Sequence, residues 1–207
     1  MSAQGCVFLV DDDEALRRAT TRLLAAHALD VRAFASAEEF LAAYDPARPG
    51  CLLLDLRLPG RSGLELQRTL AERGPLPPII FLTAHADVST SVFAMKGGAV
   101  DFLEKPVSEE RLIAALQHAL ELDTRTRAER LQLASVRARY EGLTVREREV
   151  FTEIVAGRLN KQAAQTLGIA ERTVKLHRAH VLQKMGAASI PDLVRMAEAL
   201  DLRPASG

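Results

Sequence analysis

The sequence predicts an α/β chain in two parts: a doubly wound, five-stranded parallel sheet, then a long helix leading into an all-α module of four helices. Three observations carry this. Short, nearly continuous apolar runs alternate with helix-length stretches up to about residue 120, as parallel strands covered on both faces require. No glycine or proline occurs from Val107 to Glu141, so one helix can run through the middle of the chain. After Gly142 the apolar spacing is helical throughout.

The runs Cys6–Val10, Val31–Phe34, Cys51–Leu54, Ile79–Leu82 and Val100–Leu103 are the expected strands, with room for one helix between each pair. Ser36-x-x-Glu39 and Ser62-x-x-Glu65 read as capping boxes. Ser108 reads as a plain N-cap with Glu109 and Glu110 in the first turn, where negative charge is favourable. Five strands and five helices over residues 1–121 give a flavodoxin-like domain. The fifth helix is expected to continue through 122–140, up to roughly 50 Å in all at 1.5 Å per residue. Its loose heptad of Leu116, Leu120, Leu131, Ala134 and Ala138 suits either a solvated spacer or a dimerising coiled coil. Within 141–207, Thr144-x-x-Glu147 is a capping box opening a helix to about Ala156. Further helices are expected over Asn160–Leu167, Glu171–Met185 and Ser189–Leu200, with a turn at Gly168. No strand-like run follows the third of these, which argues against a winged module.

At 48% hydrophobic and 26% charged residues, the 207-residue chain has an ordinary globular composition. Its longest apolar runs fall far short of the ~20 residues that span a bilayer. The opening MSAQGCVFLVDDD has no basic n-region, so no signal peptide is expected and a cytoplasmic location is. Two cysteines, Cys6 and Cys51, make neither a disulfide framework nor a four-cysteine metal site; buried reduced thiols are expected. The formal net charge of zero hides an asymmetry: residues 1–121 carry −5 and residues 122–207 carry +5. Gly157–Lys184 alone has six basic side chains against Glu171. An acidic half joined to one with a basic stripe points to two domains with different partners.

Asp11, Asp12 and Asp13 follow the first strand, Asp55 the third, Thr83 the fourth and Lys105 the fifth. In a parallel sheet the carboxyl ends of the strands share one edge, where ligands bind. Crowded carboxylates repel, and a hard cation resolves this. Mg²⁺ takes one or two carboxylates, keeps several waters and binds phosphoryl oxygens. A phosphoryl group moving onto a carboxylate spreads charge that a metal, an amine and a hydroxyl stabilise.

The pattern V10-D11-D12…D55-x-x-x-P59-G60…T83-A84…K105-P106 resembles the receiver domain of two-component response regulators, over about residues 4–121. The resemblance implies Asp55 as phospho-acceptor, with Asp11, Asp12, Asp55 and the backbone carbonyl of Arg57 around Mg²⁺. It implies Lys105 as the phosphate-binding lysine, Thr83 and Phe102 as the switch pair, and a cis peptide at Lys105–Pro106. Asp13 falls where that family is often acidic without being a ligand. Arg57 and His85, two residues past Asp55 and Thr83, should overhang the site and tune the lifetime of the phosphoryl group.

In the second part, Ala164 and Gly168 stand four apart, so two helices can approach closely and turn steeply, with Leu167, Ile169 and Val174 between them. This is helix-turn-helix spacing, the second helix entering the major groove. At 100° per residue, Val174, His177, Val181 and Met185 face inward, while Arg172, Lys175, Leu176, Ala179 and Gln183 face outward. Leu176 and Ala179 suit thymine methyls, and Arg172 and Lys175 base edges. Lys161, Thr173, Arg178 and Lys184 suit phosphates. His177 and His180 are read as structural and as a surface or phosphate contact, not as metal ligands. The stretch L143-T-V-R-E147…N160-K161-Q-A-A-Q-T-L-G168…T173-V-K-L-H177…K184-M185 resembles the LuxR/NarL-type DNA-binding domain over about residues 141–202. Ala170 stands where that family has Ser or Thr, so the reading helix should lack a side-chain cap, at a cost of ~1 kcal/mol.

The whole resembles the FixJ/NarL class of response regulators. That implies a DNA-binding transcriptional regulator, not an enzyme beyond its own phosphoryl uptake and loss. Its partners would be a sensor histidine kinase, double-stranded DNA and a second copy paired on phosphorylation through about Val88–Lys96 and Asp101–Glu104. RNA polymerase would be a further partner. An adaptor whose basic helix binds protein is the alternative of a different class. A haloacid-dehalogenase-like phosphohydrolase would use Asp11-x-Asp13, but Ala15 stands where it wants Thr or Val, and Asp55 is left without a role.

Overall fold

A computed structural model describes residues 5–84 and 87–202. His85, expected over the phosphoryl site, lies outside the described residues. The chain divides into two compact units between Arg127 and Ala128.

In the first unit β1 (Cys6–Val10), β2 (Asp30–Phe34), β3 (Gly50–Leu54), β4 (Ile79–Thr83) and β5 (Asp101–Glu104) form one parallel sheet in the order β2-β1-β3-β4-β5. Strands β2 and β3 begin one residue before their apolar runs because Cys6 pairs with Asp30 on one side and Gly50 on the other. Ladder pairing uses the backbone and is indifferent to side-chain polarity. Strand β5 starts at Asp101, opposite Ile80, rather than at Val100.

Alternation along each strand sorts the core into two layers. Cys6, Phe8, Val10, Leu52, Leu54, Ile79 and Phe81 pack against α2 (Ala37–Ala43), α3 (Gly63–Arg73) and α4 (Val88–Lys96). Val7, Leu9, Cys51, Leu53, Ile80 and Leu82 face α1 (Glu14–Ala26) and the first half of α5 (Glu109–Glu141). Each fully buried Phe, such as Phe8, Phe40 and Phe81, contributes roughly 1.5–3 kcal/mol. The two free cysteines thus belong to opposite layers. Burial, the main cause at both, pushes the Cys6 thiol up to about 11 and raises that of Cys51.

Caps end and start the helices largely as the sequence implies. Ser62 and Glu65 close a full capping box. Ser36 accepts from the Glu39 N–H, but Glu39 turns back to the N–H of Ala35 instead, so that box is half made. Asp13 caps α1, accepting from the N–H groups of Ala15 and Leu16. Helix α4 is lightly rooted: Ala94 is its one buried residue, while Val88, Val92, Phe93 and Met95 are exposed.

Helix α5 runs unbroken for 33 residues. Its heptad is not one stripe: Leu116 and Leu120 are buried against the sheet, whereas Leu131 is 72% exposed. In the second unit α6 (Val145–Val155), α7 (Asn160–Leu167), α8 (Glu171–Met185) and α9 (Ile190–Ala199) surround Val150, Phe151, Ile154, Val181, Met185 and Leu193. Thr144 and Glu147 form the expected capping box. No strand follows β5 among the described residues, and none of their helices is long and apolar enough to cross a membrane.

Candidate functional site

The sheet order reverses at β1 and β3, and the crevice outside their carboxyl ends is where such sheets bind ligands. Asp11 and Asp55 are the first residues past those two strands. Backbone bonds set them there: the Asp11 N–H donates to the carbonyl of Phe34 (3.2 Å) and that of Asp55 to Val10 (2.8 Å). The Asp11 carbonyl is held in turn by Nη1 of Arg17 at 2.8 Å. From the end of β5, Lys105 reaches back, its Nζ donating to Oδ2 of Asp11 (2.8 Å) and of Asp55 (2.6 Å). Each carboxylate's other oxygen accepts a backbone N–H, Asp11 from Asp13 and Asp55 from Arg57.

Asp11, Asp12 and Asp55 each offer a carboxylate oxygen within 4.8 Å of the others, a donor set that fits a small hard cation. Burial is the largest influence on Asp11 and pushes its carboxyl above the usual range, against the opposing pull of Lys105. Burial also works against the charge on Lys105. The two carboxylates outweigh it there, and the ammonium is held above its ordinary value. A cation beside these groups would reverse the first of these directions.

Thr83 ends β4 on the same rim and is 1% exposed, and its carbonyl accepts the Lys105 N–H at 2.8 Å. Phe102 is half-buried on β5, its ring centroid 6.0 Å from that of Phe81. The Lys105–Pro106 peptide is cis. Arg57 is exposed beside Asp55.

In the second unit Gly168 ends α7 in the left-handed conformation (φ 64°) that only glycine adopts without strain. Ala163, Ala164, Val174 and Ile169 form the seam between α7 and α8, while Leu167 packs into the larger helical core rather than into that seam. Along α8, Val174, Val181 and Met185 are fully buried and His177 half-buried. Arg172, Lys175, Leu176, Ala179 and Gln183 are exposed, Leu176 at 55%. Thr173 and Arg178 are half-buried, and Nη1 of Arg178 donates to the Arg158 carbonyl at 3.3 Å. Lys161 is exposed at the start of α7. Ala170 caps α8 without a side-chain bond.

Lys184 departs from its expected place. Its Nζ donates to Oε2 of Glu147 at 2.7 Å, where that carboxylate also accepts from Thr144. Glu147 is nearly buried, and Lys184, the first of its partners, holds its carboxyl down to about 2. The buried carboxylate engages this lysine, which stays 43% exposed, a role its place in a basic run does not signal.

Other side chains escaped the sequence reading. Asp123 is 4% exposed, accepts the Gly50 N–H at 2.8 Å and pairs with Arg127 at 2.7 Å. Arg127 in turn donates to the carbonyls of Pro46, Ala47 and Arg48. Gln67 is buried and donates to the Ala94 carbonyl of α4 at 3.0 Å. The i,i+4 spacing of Asp123 and Arg127 was the one available signal, and it reads equally well as a surface pair.

Family models agree with this division of chemistry. Residues 7–117 match the response regulator receiver domain and residues 141–197 the luxR family of bacterial regulatory proteins. Nodulation protein W of Bradyrhizobium diazoefficiens is 45% identical over 97% of this chain and 88% of that protein. Transcriptional regulatory protein FixJ of Rhizobium meliloti is 44% identical over 92% of this chain and 94% of its own length. Among solved structures, response regulator StyR superposes with a TM-score of 0.86 at 41% identity, covering 95% of this chain and 99% of that one. Full-length FixJ from B. japonicum gives 0.58 at 37% identity, covering 97% and 99%.

Proposed function

The chain belongs to the FixJ/NarL class of response regulators, DNA-binding transcriptional regulators of two-component systems, and on that premise we propose that phosphorylation of Asp55 switches its binding to DNA. The observation that carries this is Lys105 spanning Asp11 and Asp55 at the rim of the sheet. In this reading a phosphohistidine of a sensor kinase is the donor. Its N–P bond breaks as an Asp55 carboxylate oxygen forms the new O–P bond, and the histidine nitrogen takes up a proton. Asp11, Asp12 and Asp55, with the carbonyl of Arg57, would hold Mg²⁺, which when bound neutralises charge on the phosphoryl oxygens. Lys105 loses its partner oxygen on Asp55 and turns to the phosphoryl group. Thr83 donates a hydrogen bond from its hydroxyl to that group, and Phe102 moves into the space Thr83 leaves.

The domains act in this reading as 1–121 for receipt, 122–140 for connection and 141–207 for DNA. The pairing surface is α4 with β5, favoured by the exposed Val88, Val92, Phe93 and Met95. On DNA, Arg172, Lys175, Leu176 and Ala179 read bases, and Lys161, Thr173 and Arg178 hold phosphates. Lys184 is left out of that set because it is engaged with Glu147. The protein turns over no other substrate, works in the cytoplasm and hands its signal to RNA polymerase.

Acetyl phosphate with Mg²⁺ tests the reading. Wild-type protein should be labelled and shift toward dimer in sedimentation, while Asp55→Asn should do neither. Undiminished labelling of the variant means another acceptor, and labelling without a change in association removes the pairing step.

A further inference from the structure

Helix α8 is held unevenly along its length. At its N-terminal end Ala170 supplies no side-chain cap, and Glu171 pairs only with the exposed Lys175 at 3.5 Å. Such exposed pairs contribute little. The first half of α8 is located by packing, through Val174 buried in the seam with α7, whereas the C-terminal end is also held by backbone and charge-assisted bonds. Gly186 closes the helix in the left-handed conformation, and the N–H groups of Gly186 and Ala187 satisfy the carbonyls of Gln183 and Leu182. The carbonyl of Met185 takes a different partner: Nη1 of Arg139, from the last turn of α5, donates to it at 3.0 Å. A guanidinium there also meets the negative end of the helix dipole. Gly186 makes room for it, since a Cβ at that position would lie 2.6 Å from the same Nη1. One residue before Met185, Lys184 is tied to Glu147 at the start of α6.

We infer that Arg139 is a positioning residue for DNA reading: it ties the last turn of α5 to the C-terminal end of α8 and so sets the angle at which the outer face of α8 meets the groove. The inference rests on the proposal that this outer face reads bases. Because the side chain of Met185 is fully buried, its carbonyl moves only with the helix. A tether at that carbonyl therefore acts on the whole of α8 rather than on a frayed end. Arg139 remains exposed, so its bond adds modestly to stability while directing a helix whose other end is uncapped. A small rotation about the pinned end displaces the uncapped end most, and Arg172 and Lys175 lie there. Phosphate contacts tolerate such a rotation, whereas bidentate base contacts do not.

The experiment uses full-length protein and a duplex selected by the wild type from a random library, with a shuffled duplex of the same length as control. Arg139→Ala should lose about five- to tenfold in affinity for the selected duplex and less than about twofold for the shuffled one. Its melting temperature should stay within a few degrees of wild type. Arg139→Lys, which still presents a cation to the Met185 carbonyl, should recover most of the lost discrimination. Equal losses on both duplexes, or no loss on the selected one, overturn the tether. If the alanine variant does not fold, Arg139→Gln carries the same comparison, because it keeps an N–H donor while losing the charge. Failure of the wild type to select any duplex overturns the base-reading proposal, and the tether with it. Selection followed by unchanged discrimination overturns the tether alone.

Discussion

Replacing Lys184 by alanine separates two roles for this residue, a brace on Glu147 and a phosphate contact. The Glu147 carboxylate is 5% exposed at its side chain and Lys184 43%. The substitution removes one charge-assisted hydrogen bond of 2.7 Å and leaves Glu147 with Thr144 alone. Such bonds are worth ~1.5–3 kcal/mol. Because the ammonium is over a third exposed, solvent screening brings the expected loss to about 1–1.5 kcal/mol, several degrees in the melting of a small helical unit. The pH dependence has a definite sign. Glu147 is depressed from its ordinary 4.5 to about 2, so its stabilisation is complete above roughly pH 4.5 and drains away as pH falls toward 2. The melting gap between wild type and Lys184→Ala should be widest near neutrality and close in strong acid. Binding to duplex DNA at several salt concentrations is the second readout. A lost phosphate contact lowers the slope of log affinity against log salt by about one; a lost brace leaves it unchanged. An unaltered melt with a lowered slope would refute the assignment of Lys184 to Glu147.

Two further outcomes are expected. Lys175→Ala should weaken binding to a selected duplex by ~1–3 kcal/mol and relax discrimination at the base it meets, and unchanged specificity in a competition assay takes that face of α8 out of the groove. Asp123→Ala strips the buried Gly50 N–H and the Arg127 guanidinium of their acceptor, costing about 3 kcal/mol, and an unshifted thermal melt of the full chain would remove this brace.

The carboxylate–lysine site was legible because its members lie at strand ends, and strands with apolar runs as plain as Cys6–Val10 and Ile79–Leu82 announce where they stop. Once four strand ends share a rim, Asp11, Asp55, Thr83 and Lys105 need no further information to converge. Helix α8 was legible for a similar reason: Val174, Val181 and Met185 recur at helical spacing and leave Arg172 and Lys175 outside. What stayed hidden are polar groups whose partners come from distant segments. Local pattern says that Glu147 caps a helix, and the structure agrees, but it cannot say that Lys184, 37 residues on, finds the same carboxylate. Asp123 looks like any acid on a long helix until β3 brings the Gly50 N–H to it. Glu39 had two backbone donors within reach, and spacing alone did not choose between Ser36 and Ala35.

Adjacent strands place Cys6 and Cys51 one step apart in the ladder yet on opposite faces of the sheet. Bringing them together would mean unzipping β1 from β3, the centre of the domain, so the sheet itself insulates the chain from internal oxidation. A change in the surrounding redox poise therefore finds no internal cysteine pair to bridge without opening the strands that carry Asp11 and Asp55.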